Sequence, residues 1–83
     1  MSGETAKGSK GYVKTTIFFT TYDEDIAKDI MGRIAKKFKV LESKRSRVLK
    51  EVYYIVVEGD ARSVEDLLRG RVNWYKVDVL EFK

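Results

Sequence analysis

The chain has 83 residues, a formal net charge of +4, 43% apolar and 36% charged residues, and neither histidine nor cysteine. That length supports one hydrophobic core and leaves no room for a Rossmann unit or a barrel. The missing residue types exclude disulfides, thiol nucleophiles, zinc centres built on Cys or His, and imidazole acid–base catalysis.

Residues 1–11 (MSGETAKGSKG) carry three Gly, two Ser and two Lys, and beyond Met1 no large apolar side chain. They read as a flexible tail ahead of a single domain at 12–83. From Tyr12 to Thr20, β-branched and aromatic residues dominate, which predicts a strand. Thr21-Tyr22-Asp23-Glu24 has the spacing of a capping box opened by Thr21, and three acids at 23–25 suit the positive end of a helix. Ile26, Ile30, Ile34 and Phe38 then recur every fourth residue, opposite Lys28, Arg33, Lys36 and Lys37. This is an amphipathic helix.

Val40 to Val48 alternates poorly and is charged on both sides, as an edge strand is. A turn near Leu49-Lys50 leads to Val52–Val57, apolar on both faces and therefore central. Gly59-Asp60 ends it. A short helix capped by Asp60 or Ser63 carries Val64, Leu67 and Leu68, and Gly70 stops it. Trp74 to Phe82 closes the chain as a strand. Val64, Leu68, Val72, Tyr75, Val79 and Phe82 also fit a helical spacing, but the β-branched and aromatic density after Asn73 favours the strand.

The order is βαββαβ, a split βαβ of the ferredoxin-like α+β class. It predicts a four-stranded antiparallel sheet, order 4-1-3-2, with both helices on one face. No apolar run is long enough for a membrane span, and no charged segment leads into an apolar leader, so a cytoplasmic protein without a membrane partner is expected. Gln and Cys are absent and Asn73 is the single Asn, while Lys, Arg and Glu abound, a thermophilic, archaeal-like profile.

No phosphate-loop or dinucleotide motif occurs. The acids are spread along the chain, and helix capping and the helix dipole account for their two clusters, Asp23–Asp25 and Asp60 with Glu65 and Asp66. An enzyme is not expected, nor a metal or other cofactor.

Charge is unevenly placed. Residues 28–50 hold nine Lys or Arg against Asp29 and Glu42, whereas the segments on either side are net negative. Ser43-Lys44-Arg45-Ser46-Arg47 is the densest stretch, and it predicts a phosphate-binding stripe of Lys44, Arg45 and Arg47 with Lys37 and Lys50 nearby. Solvated helix lysines and a charge-protected edge strand explain the same residues without a ligand. If Ile17 and Phe19 face the helices, then Phe18, Tyr54, Trp74 and Lys76 lie on the opposite face of the sheet. Aromatics on such a face form a platform for unpaired bases.

In topology, residues 12–82 resemble an RNA-recognition domain, whose first and third strands carry aromatics of this kind. TIFFTT at 16–21 follows the first-strand signature loosely, and KEVYYIVV at 50–57 lacks the Gly-Phe pattern of the third. DEDIA at 23–27, Ser46-Arg47-Val48 and Asp60-Ala61-Arg62-Ser63 bear a fainter similarity to the small dimerising subunit of the KEOPS tRNA-modification complex. That family continues as a long C-terminal helix, where this chain has Gly70 and Val77-Asp78-Val79.

The expected function is a small non-enzymatic nucleic-acid-binding module, for RNA before DNA, using the basic hairpin and the aromatic sheet face. The alternative is a protein-interaction or dimerisation subunit of a larger complex with no nucleic-acid contact. It would use the same face as a homodimer interface, with Val56, Leu80 and Phe82 extending the apolar patch.

Overall fold

The computed structural model describes residues 12–82. The expected tail at 1–11 and the final Lys83 lie outside the described residues. In chain order the elements are β1 (Tyr12–Thr20), α1 (Glu24–Lys37), β2 (Val40–Arg45) and β3 (Val52–Glu58). A 3-10 turn (Arg62–Val64) then runs into the one-turn helix α2 (Glu65–Leu68), and β4 (Trp74–Phe82) follows. The strands form one antiparallel sheet in the order β2-β3-β1-β4, the expected ferredoxin-like arrangement.

Alternation along the two central strands decides where the core lies. Ile17 and Phe19 of β1 and Tyr53, Ile55 and Val57 of β3 point to one side and are buried there. Ala27, Ile30 and Ile34 of α1 cover them, together with Ala61, Val64 and Leu68 from the second crossover. The Phe19 and Tyr53 rings stack at 5.1 Å. Both crossovers therefore lie on one face, and among the described residues no helix or loop covers the other, open face of the sheet.

The end of α1 differs from the sequence expectation. Asp23, not Thr21, is the cap: its Oδ1 accepts from the N–H groups of Asp25 and Ile26. Thr21 is buried and supports the cap from outside, its hydroxyl oxygen accepting from Asp23 N–H. Glu24 is thereby freed to reach Arg45 across the groove. A strand pairing that extends to Thr21, whose N–H donates to the Glu51 carbonyl, pulls that residue out of the capping position.

The second strand is shorter than expected. It ends at Arg45, and residues 46–51 form the loop to β3. The Ser46 hydroxyl accepts from the N–H groups of Val48 and Leu49, which turns the chain before Val48 can pair. The second crossover is likewise minimal. Asp60 accepts from Arg62 N–H, Ser63 caps nothing, and Gly70 at φ +77° ends the helix as anticipated. Helical continuation past Gly70 does not occur, because β4 pairs with β1 along its full length.

One ion-pair cluster ties the two crossovers together. The Asp29 carboxylate on α1 accepts from Arg33 at 2.9 Å and from Arg71, beyond α2, at 2.7 Å. The Arg71 hydrogen bond, then that of Arg33, holds the Asp29 carboxyl below its ordinary value. Folding therefore favours the ionised form. This contribution is complete above the ordinary carboxylate pKa and is lost as pH falls through the depressed folded value. Asp29→Asn is expected to lower the melting temperature at pH 7, and the gap from the parent chain should close as pH falls through the depressed Asp29 value, as thermal melts from neutral to strongly acidic pH will show.

Candidate functional site

The open face is built by the residues that alternate away from the core. β1 supplies Lys14, Thr16, Phe18 and Thr20, β3 supplies Tyr54 and Val56, and β4 supplies Trp74, Lys76, Asp78 and Leu80. Strand β2 joins them through a bulge. Val40 pairs with Val57 on the core side, but the register shifts before Glu42, which then pairs with Val56. That extra residue turns Glu42 and Lys44 to the open face; unbroken alternation from Val40 would have turned them to the helices.

Two cross-strand rows result. The first reads Lys44, Tyr54, Phe18, Lys76 across all four strands. The Phe18 and Tyr54 ring centroids are 4.6 Å apart at 42°, and both rings are half-buried. A cation stands at each end, about 14 Å apart along the row for three strand spacings. The second row reads Glu42, Val56, Thr16, Asp78. Its acids pair with the cations of the first: Lys44–Glu42 at 2.8 Å and Lys76–Asp78 at 3.6 Å. The Glu42 hydrogen bond and charge push the Lys44 ammonium up, so Lys44 stays charged.

Trp74 is 54% exposed on the same face, one residue pair beyond Phe18. At the far end Phe82 packs on Tyr12 at 6.2 Å and under the Lys14 ammonium at 5.4 Å. Val56, which the sequence reading takes as part of an exposed apolar patch, is only 3% exposed. Leu80 and Phe82 remain accessible, at 38% and 47%.

The basic stretch divides. Lys44 stands on the open face. Arg45 turns to the helix side, with its guanidinium over the Tyr53 ring at 5.1 Å. Its Nε donates to the Lys50 carbonyl and its Nη2 to Glu24, which makes it a clamp on the loop and on α1. Arg47 and Lys50 lie exposed on the loop, and no acid pairs with either among the described residues. Lys37 closes α1 on the helix side of the sheet, apart from the aromatic row.

The sequence reading places Lys76 on the open face but gives it no part in the site; its alignment with Phe18 is a register property. Glu42 and Asp78 escape notice for the same reason. Among the described residues no three Asp or Glu gather as a metal cluster, and Asp23 spends its carboxylate on the helix cap. The sequence matches no protein-family model and no curated protein.

Proposed function

We propose that the protein is a small non-catalytic module that binds single-stranded nucleic acid, RNA in particular, on the open face of its sheet. One observation carries the reading: the row in which two cations flank two contacting aromatic rings. Base stacking on rings and phosphate pairing at the flanking ammonium groups are the two interactions that single strands offer without sequence readout. Trp74 extends the platform, and Arg47 and Lys50 continue the positive charge onto the adjacent loop. The Thr16 and Thr20 hydroxyls beside Phe18 suit a 2′-hydroxyl, the group that separates RNA from DNA. Arg45 and Lys37 are left out of this site by their orientation.

Fluorescence anisotropy with labelled single-stranded and duplex RNA and DNA, each at two salt concentrations, tests the reading. Single-stranded RNA is expected to bind best, with an affinity that falls as salt rises. Absence of binding at low salt would overturn it. The Lys44–Glu42 pair adds a sharper expectation. Glu42 competes with phosphate for the Lys44 ammonium, so Glu42→Gln should tighten binding by about 2- to 5-fold at low salt, with a smaller gain at high salt.

A further inference from the structure

The outer edge of the sheet at β4 is unlike the edge at β2. It is nine residues long, has no bulge, and is rich in apolar residues (WYKVDVLEF). The second crossover is too short to cover it: Tyr75, Val77 and Val79, on the core side, remain half-exposed. Among the described residues no strand pairs with this edge, and a long edge of this kind presents unpaired backbone groups to any matching strand.

Backbone polarity along β4 follows from the hydrogen bonds of its neighbours. Gly59 N–H donates to the Val13 carbonyl and Thr21 N–H donates to the Glu51 carbonyl at the two ends of the β1–β3 ladder, so odd-numbered β1 residues turn their backbone N–H and C=O groups to β3. Even-numbered β1 residues then turn to β4, and in this register they meet Trp74, Lys76, Asp78 and Leu80. Tyr75, Val77, Val79 and Glu81 are left with N–H and C=O groups aimed outward.

We propose that this edge pairs with β4 of a second copy of the chain, antiparallel about a two-fold axis at Val77. In that register Val77 meets its own counterpart through two backbone hydrogen bonds, and Tyr75 meets Val79 of the partner subunit through two more. On the open face Lys76 lies opposite Asp78 of the partner subunit, twice by symmetry, and Trp74 lies opposite Leu80 of the partner subunit. Both residues of that last pair are exposed in the single chain, at 54% and 38%. Charge complementarity selects the register. A shift to a centre on Asp78 sets two carboxylates face to face, and a centre on Lys76 sets two ammonium groups face to face, both unfavourable across strands.

The product is a continuous eight-stranded sheet with both open faces on the same side and unobstructed. Lys76 and Trp74 belong to the proposed nucleic-acid site as well, so the pairing is read from oligomeric state alone, with no nucleic acid present.

Charge swaps test it on the full-length chain by sedimentation equilibrium over about 10–300 μM, with circular dichroism to confirm folding. The parent chain is expected to dimerise. Lys76→Asp and Asp78→Lys should each weaken dimerisation at least 10-fold, since each creates two like-charge pairs. An equimolar mixture of the two variants should restore it, because each chain then meets its opposite charge. Amide exchange supplies a second readout, with Tyr75, Val77 and Val79 gaining protection as concentration of the parent chain rises. A parent chain that stays monomeric, a dimer indifferent to both swaps, or a mixture that fails to reassociate would overturn the proposal.

Discussion

Phe18→Ala and Tyr54→Ala are each expected to weaken single-stranded RNA binding by about 5- to 150-fold, the range that corresponds to a stacking contribution of about 1–3 kcal/mol per aromatic. The two rings touch at 4.6 Å and form one surface, so the double variant should lose less than the product of the single losses. Both side chains are half-buried, so some stability is lost as well, and circular dichroism at the titration temperature establishes that the variants are folded. A pair of charge variants separates stacking from phosphate contact. Lys44→Ala should reduce the salt dependence of binding by roughly one phosphate's worth, a slope change of about 0.7 for a single strand. Arg45→Ala should leave that slope alone and lower the melting temperature instead, because its guanidinium is committed to Tyr53, Glu24 and the Lys50 carbonyl. Full affinity in Tyr54→Ala would remove the aromatic row from the site.

That Arg45 and Lys44 play opposite parts could not be read from their adjacency in the chain. Composition identifies 28–50 as the positive segment, and alternation identifies Phe18 and Tyr54 as residues of the open face. Which cation joins them depends on the bulge between Val40 and Glu42, where one residue of register reverses the side to which every later side chain points. No turn signal or glycine marks that bulge in the sequence. The burial of Val56 is similarly a matter of neighbours: a valine in a central strand looks the same whether or not the surrounding side chains close over it.

The fold was far more legible. The β-branched and aromatic density of β1, the 3.6-residue period of α1 and the two-sided apolar run of β3 are plain in the sequence, and Tyr12–Thr20 and Trp74–Phe82 have the expected ends. What misled was competition among local hydrogen bonds. Thr21 and Asp23 both carry the chemistry of a helix cap, and only the pairing of Thr21 with Glu51 across the sheet decides between them. Val48 carries a strand propensity that the Ser46 turn overrides, leaving it 88% exposed.

Thr15→Val is expected to be among the most damaging substitutions in the chain despite preserving shape. In a strand, Thr15 reads as one more β-branched residue, yet it is fully buried and its hydroxyl works in both directions. It donates to the Gly59 carbonyl at 2.7 Å and accepts from Ala61 N–H at 2.8 Å. These bonds fasten the left-handed Gly59 turn and the start of the second crossover onto β1, where Ala61, Val64 and Leu68 enter the core. Valine fills the same space but leaves a buried N–H and a carbonyl without partners, a loss of about 2–4 kcal/mol. For a domain of this size that corresponds to a fall in melting temperature of roughly 10–30 °C. Thr15→Ser keeps the hydroxyl and sacrifices one methyl group, which costs about 1 kcal/mol. The expected order of stability is therefore Thr, then Ser, then Val, whereas hydrophobicity alone would put Val first and Ser last at a buried strand position. Chemical denaturation of the three chains measures it directly. Amide exchange should show the Val variant losing protection first at Ala61 and Val64, because their turn would be held by packing alone. A valine variant as stable as the parent would mean that the crossover is secured by its three apolar side chains and that the threonine bridge contributes nothing net.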